Sequence, residues 1–172
     1  VHEAVRDAMG PDYVLMSDPV AEYSLGEAIK VGRQLERLDY HWFEEPFRDF
    51  ELAKYAELCR ALDIPIAGTE TTRGGSWGVA QAIEFKAVDI VRADVSWKPG
   101  ITGTLKIAAL AEAHGMRCEL HTTTMGPMDI ANVHVSCAIR NCEYYEMFAP
   151  YETFKFPMKD DFPFDAEGNI HV

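Results

Sequence analysis

The chain has 172 residues, 48% hydrophobic and 26% charged, a balance that supports one ordinary domain with a substantial core and excludes a disordered or collagen-like segment. Twenty-eight Asp and Glu against sixteen Lys and Arg give a formal net charge of -12, the wrong sign for neutralising nucleic-acid phosphates or anionic lipid headgroups, so nucleic acid and membrane are excluded as main partners. No apolar run approaches the roughly 20 residues of a membrane span. The stretch Val1 to Asp7 also lacks the basic-then-apolar order of a signal peptide, and a soluble, cytoplasmic protein is expected.

Short apolar runs alternate with longer helical patterns, the sign of a parallel sheet made from βα units. Val1 to Gly10 reads as the end of a helix, and Val14 to Met16 as the first strand. Ser24 and Glu27 form a capping box ahead of a helix with Leu25, Ala28, Ile29, Leu35 and Leu38 on its apolar face. His41 to Phe43 is the second strand, and Asp49 is placed to cap a helix with Leu52, Tyr55, Cys59 and Leu62 inward. Pro65 to Ala67 is the third strand, followed by a helix from Ser76 to Val88 with Trp77, Ala80, Ile83 and Ala87 inward. Ile90 to Val91 is the fourth strand, and Thr102 to His114 a helix stopped by Gly115. Arg117 to Leu120 is the fifth, Pro127 opens a helix with Ile130, Val133 and Cys137 inward, and Tyr144 to Met147 is the sixth.

Residues 150–172, rich in Pro, Phe and Asp, read as an irregular extension. No Gly/Ser linker or low-complexity block divides the chain, so 1–172 is read as one unit. Cys59, Cys118, Cys137 and Cys142 show no CxxC spacing and read as buried structural thiols.

The informative residues stand at the strand ends. Asp18 follows the first strand, Glu44 the second with Glu45 beside it, and Glu70 the third, at intervals of 26 residues. Successive parallel strands deliver their carboxyl ends to one rim, where three carboxylates repel unless a cation sits among them. All-oxygen donors select a hard ion such as Mg²⁺. Taken singly, each of these carboxylates also fits a helix-capping role. Glu45 points elsewhere when Glu44 points to the rim, and is read at most as supporting the ligands.

The next two strands end in Asp94 and His121. A carboxylate beside an imidazole fixes its tautomer and holds a ring that can exchange protons near neutral pH, which suits general acid-base work. Glu146 ends the sixth strand at the same rim. His134 lies inside a helix pattern, His114 at a helix end, His41 at the opposite rim, and His2 and His171 near the termini, all structural positions.

Asp18, the string Trp42-Phe43-Glu44-Glu45-Pro46, Gly68-Thr69-Glu70, Asp94 followed by Lys98-Pro99-Gly100-Ile101-Thr102-Gly103, His121, and Tyr145-Glu146 stand in one order along nearly the whole chain. Together they resemble the barrel of the enolase superfamily, mandelate racemase subgroup. The resemblance implies an α/β fold, the (β/α)8 TIM-type barrel, of which the chain holds about strands three to eight. The capping domain and first two strands, with their Lys-containing motif, are then absent from 1–172. The resemblance further implies that Asp18, Glu44 and Glu70 are the Mg²⁺ ligands, that Asp94 and His121 are the acid-base dyad, and that Glu146 contacts the substrate carboxylate. A proton alpha to a carboxylate is very weakly acidic because its removal creates a dianion, so the metal must hold both oxygens of the ene-diolate.

Some positions depart from the pattern. Val20 stands where many members carry Asn, and Pro99 where a glycine is usual. Trp97 and Lys98 fill positions that vary with substrate, Trp97 suited to shaping a pocket and Lys98 to meeting a substrate anion or standing as a solvated loop lysine. Arg73 and Arg92 invite the same reading. Six strands leave two open edges, so a homo-oligomer is expected, or a companion chain or the amino-terminal part of a longer protein that completes the barrel. The expected activity is that of a Mg²⁺-dependent dehydratase of acid sugars, a carbon-oxygen lyase, because members with Trp at the position of Trp97 resemble such enzymes. A racemase or epimerase of 2-hydroxy acids uses the same intermediate and returns the proton. A non-catalytic remnant or subunit of a split barrel is the alternative of another class.

Overall fold

Ser24 and Glu27 cap each other reciprocally in the computed structural model, which describes residues 1–122, 126–150, 159 and 164–171. The Ser24 hydroxyl oxygen accepts from the Glu27 N–H at 3.4 Å, and the Glu27 carboxylate accepts from the Ser24 N–H at 2.9 Å. Most of the expected 150–172 extension lies outside the described residues. Cα packing groups the chain into two units, Val1–Thr72 with Trp77–Val91, and Arg73–Ser76 with Arg92–Val172.

The first unit holds α1 (His2–Met9), β1 (Met16–Ser17), α2 (Leu25–Arg37), β2 (Trp42–Glu44), α3 (Leu52–Ala61), β3 (Ile66–Gly68), α4 (Ser76–Glu84, from Trp77 on) and the start of β4 (Ile90–Ala93). These strands pair in parallel, Met16 against Trp42, Phe43 against Ile66 and Ala67 against Ile90. Every residue of β2 and β3 is buried, as expected for parallel strands covered on both faces. The first three strands start one or two residues later than their apolar runs, and Val14, expected in the first strand, is 46% exposed. Glu44 thus ends β2 from within.

Two helix expectations in this unit are corrected. The N-cap of α3 is Glu51, with no side-chain cap bond, because a turn in which the Glu51 N–H donates to the Arg48 carbonyl carries the chain past Asp49 before the helix begins. Helix α4 turns Trp77 to solvent, 83% exposed, and buries Val79, Ala82 and Ile83. At about 100° per residue those three share a face that Trp77, two residues before Val79, opposes. The helix also stops at Glu84, short of Val88, where Lys86 enters the left-handed region at φ 53°. Glycine is required once in the α2–α3 packing: a Cβ on Gly32 would lie 2.1 Å from Leu62 Cδ1.

In the second unit the end of β4 lies beside β5 (Arg117–Leu120), and the His121 N–H continues the ladder to the Ala93 carbonyl at 2.8 Å. Helix α5 (Gly100–Ala113) starts two residues earlier than expected and ends at His114, with Gly115 at φ 70°. Helix α6 (Pro127–Ala138) has Pro127 in its first turn, as expected, and buries Val133. Its buried face is rotated toward Asp129, Asn132 and Val135, which leaves Ile130 half-buried and Cys137 exposed rather than inward. All four cysteines are free thiols, only Cys118 fully buried.

The sixth strand, Tyr144 to Met147, is reduced to one parallel bridge between Leu120 and Tyr145. Side chains replace the ladder. The buried Glu119 carboxylate accepts the N–H groups of Glu143 and Tyr144, and the Thr122 hydroxyl donates to the Glu146 carbonyl at 2.7 Å. Among the described residues no helix is long and apolar enough to cross a membrane.

Candidate active site

The three expected metal ligands belong to the first unit, one from the end of each of β1, β2 and β3. Glu44 and Glu70 are 4% and 5% exposed, while Asp18 is exposed. The Asp18 Oδ1 accepts from the Val20 N–H at 3.0 Å, and the Glu44 Oε2 from the Trp42 indole N–H at 3.0 Å. Among the described residues no group of three or more His, Cys, Asp and Glu side chains has the spacing to hold a metal ion. The structure therefore places the three carboxylates on consecutive parallel strands without drawing them into one cluster.

The donor chemistry fits Mg²⁺ nonetheless. Two carboxylates buried at adjacent strand ends present only hard oxygen atoms, and buried carboxylates are retained where they are paired or coordinate a cation. Glu45 braces this end of the unit. Its Oε1 accepts the N–H groups of Thr69 at 2.8 Å and Glu70 at 3.0 Å, and its Oε2 the Thr71 hydroxyl at 3.1 Å. Thr69 sits at φ 92° and Glu45 at φ 32°, both unusual for residues with a Cβ, so the carboxylate stabilises a strained turn immediately before Glu70. Burial pushes the Glu45 carboxyl above the ordinary range, opposed by the Thr71 hydroxyl and reinforced by Glu44.

The second unit contains the other expected residues. Asp94, 1% exposed at the end of β4, faces His121 at the end of β5, with Oδ2 3.2 Å from Nδ1. The other carboxylate oxygen, Oδ1, accepts the N–H groups of Ser96 and Trp97, both at 2.6 Å, so the pair is fixed from the Asp side. An acceptor at Nδ1 selects the tautomer protonated there and puts the ring's basic lone pair on Nε2. The Trp97 ring lies over the His121 ring, centroids 4.9 Å apart at 37°. Lys98 is 5% exposed, which removes the reading of a solvated loop lysine, whereas Arg73 is exposed.

Glu146 is half-exposed and held on Oε2 by the Arg92 guanidinium and the Thr122 N–H, the latter at 3.2 Å. Arg92 is therefore a buried ion-pair partner.

Asn132 escaped the sequence reading. Its Nδ2 donates to the His121 carbonyl at 2.8 Å and its Oδ1 accepts the Val95 N–H at 3.3 Å, so one side chain ties together the segments after β4 and β5 that carry the dyad. An amide set among Ile130, Val133 and Val135 of the helix was the available signal, because buried polar groups are almost always bonded. Asp129 on the same face accepts from the Tyr145 hydroxyl, and burial raises its carboxyl, with the Tyr145 bond opposing and Glu146 adding.

The family model described as enolase C-terminal domain-like matches residues 1–172. The chain belongs to the enolase C-terminal domain-like family. The fold is accordingly that of this family, α/β with a parallel sheet, and its structural neighbours are TIM-barrel members of the superfamily. Against arabinonate dehydratase of Saccharolobus solfataricus this enolase-like chain is 37% identical over 147 residues, 84% of itself and 38% of that protein. Against D-galactarolactone cycloisomerase of Agrobacterium fabrum it is 40% identical over 123 residues, 72% of itself and 32% of that protein. The crystal structure of D-glucarate dehydratase from Agrobacterium tumefaciens complexed with magnesium superposes with a TM-score of 0.91 at 40% identity, covering 99% of this chain and 45% of that one. The chain thus spans less than half the length of each of these relatives.

Proposed function

We propose that the protein carrying this chain is a Mg²⁺-dependent dehydratase of sugar acids. The observation that supports this reading best is the buried Asp94 carboxylate 3.2 Å from Nδ1 of His121, which makes Nε2 the proton-exchanging atom of an acid-base pair. Asp18, Glu44 and Glu70 would hold the ion. Bound there, Mg²⁺ supplies fixed positive charge against the negative charge that develops on a substrate carboxylate as its alpha proton leaves.

The rest falls to this chain's own side chains. The substrate is a 2,3-dihydroxy acid. The alpha C–H bond breaks and its electron pair forms a carbon-carbon double bond, while the hydroxyl on the next carbon departs with a proton as water. The resulting enol becomes a 2-keto acid, so the net loss is one water. His121 exchanges protons through Nε2, either taking the alpha proton or protonating the departing hydroxyl. Asp94 holds the imidazole in the required tautomer and offsets the imidazolium charge. Glu146, Lys98 and Trp97 are the proposed substrate contacts, with Trp97 also covering one face of the His121 ring.

The test is incubation of the full-length protein with Mg²⁺ and arabinonate, galactarate or glucarate in D2O. A 2-keto-3-deoxy acid is the expected product. Deuterium at the alpha carbon of recovered or epimerised sugar acid, with no keto acid formed, would replace the dehydratase with a racemase or epimerase.

A further inference from the structure

Trp97 meets the acid-base pair through two different parts of itself. Its backbone N–H donates to Asp94 Oδ1 at 2.6 Å, and its indole lies over the His121 imidazole, centroids 4.9 Å apart at 37°. Asp94 reaches the same imidazole at its edge, Oδ2 3.2 Å from Nδ1. The χ2 torsion of histidine is broad, so one hydrogen bond at an edge leaves the ring free to rock about it, and a contact on the face sets the plane. An indole face also carries negative potential and attracts a cation within about 6 Å, so an imidazolium gains from this contact what a neutral imidazole does not. The charged and titratable groups described around the ring are Asp94 from β4, Asp129 from α6, which borders the same narrow void as Asp94 and His121, and Glu146, paired with Arg92 and bonded to the Thr122 N–H. Lys98 is buried beside Trp97 in the same loop. Trp97 itself is 54% exposed, so little of its ring serves the core.

We propose that Trp97 is a positioning residue that acts through His121, its indole fixing the plane in which Nε2 is presented and favouring the imidazolium form of the ring. The inference rests on the sugar-acid reading and deepens it at the same site, giving Trp97 a role beyond contact with substrate. Whether His121 takes the alpha proton or protonates the departing hydroxyl, the cycle passes through an imidazolium, and the indole stabilises that state in both cases. A plane held at one edge and one face keeps Nε2 aimed at a reacting atom, where a displacement of about 1 Å is enough to slow a proton transfer severely. The two contacts are separable. A substitution of the Trp97 side chain removes the indole face and leaves its N–H on Asp94 Oδ1, so Asp94 stays immobilised while the ring contact is lost.

The test uses the full-length protein with Mg²⁺ and the variants Trp97→Leu and Trp97→Phe. With arabinonate, Trp97→Leu lowers kcat about tenfold while KM stays within about threefold, and Trp97→Phe, which keeps an aromatic face, stays within about threefold of wild type in both. The limb of the kcat/KM pH profile set by His121 moves to lower pH in Trp97→Leu and stays in place in Trp97→Phe, a change that loss of packing alone does not produce. The second arm needs no turnover. A protonated imidazole quenches the fluorescence of an indole in contact with it, so the emission of Trp97, taken as wild type minus Trp97→Phe, falls as the pH is lowered. The fall is absent when the same difference is taken in a His121→Asn background. An unmoved pH limb in Trp97→Leu, or a KM that rises tenfold with kcat unchanged, would overturn the action through His121. Trp97 emission that responds to pH identically with and without His121 would overturn the contact itself. If the wild-type protein turns over none of the sugar acids, the dehydratase reading fails, and the emission arm still decides whether the indole stabilises the imidazolium.

Discussion

His121 presents Nδ1 to Oδ2 of Asp94 at 3.2 Å, and the Asp94 carboxylate is itself immobilised by two backbone N–H groups on its other oxygen. His121→Asn should therefore reduce turnover by about 10²–10⁴-fold, the usual contribution of a positioned acid or base, and leave Mg²⁺ affinity unchanged. Asp94→Asn should also impair turnover, because an amide presenting its NH₂ to Nδ1 favours the opposite tautomer. Steady-state kinetics with arabinonate, paired with Mg²⁺ calorimetry, checks both. Undiminished turnover in His121→Asn would refute the catalytic role.

Metal binding is tested on the first unit. Glu70→Gln removes a buried hard anionic donor and should weaken Mg²⁺ binding by roughly tenfold or more. Glu119→Gln is the control. Glu119 is fully buried in β5 with its carboxylate on Arg117 and on the N–H groups of Glu143 and Tyr144, so this variant should lose stability and keep its Mg²⁺ affinity. Equal Mg²⁺ affinity in wild type and Glu70→Gln by calorimetry would remove Glu70 from the ligand set.

Asn132→Ala strands the buried Val95 N–H and the His121 carbonyl together. The expected cost is about 2–3 kcal/mol, the range for leaving buried polar groups unsatisfied. The midpoint of urea unfolding should fall accordingly, and turnover should fall further than stability alone explains because the dyad loses its brace. A variant with wild-type midpoint and kcat would show that Asn132 holds neither.

Asp129 gives a pH signature. Burial, the largest cause, raises its carboxyl above the ordinary value of 3.8, against the Tyr145 bond and with Glu146 adding to the shift. Between the unfolded and the raised folded value the native state binds more protons, so stability falls as pH rises through that window, and the full cost persists above it. Asp129→Asn keeps an acceptor for the Tyr145 hydroxyl and carries no charge. It should raise Tm at neutral pH and flatten that part of the stability profile. A Tm that falls equally at acidic and neutral pH would assign Asp129 a purely packing role.

The alternation of apolar runs with capped helical patterns was enough to read parallel βα units and the positions of Asp18, Glu44, Glu70, Asp94 and His121 at strand ends. A short apolar run, a helix period of 3.6 and a capping box such as Ser24 with Glu27 are local properties, written in consecutive residues. Tertiary structure alone decided which face each helix buries, and so turned Trp77 and Cys137 outward and brought Asn132 in. It also decided that Tyr144 to Met147 is held by the Glu119 and Thr122 side chains rather than by a ladder, and that Arg92 is paired with Glu146 across 54 residues of sequence. Those outcomes depend on which groups meet after distant segments pack, and desolvation makes each buried donor or acceptor find a partner from whatever element lies beside it.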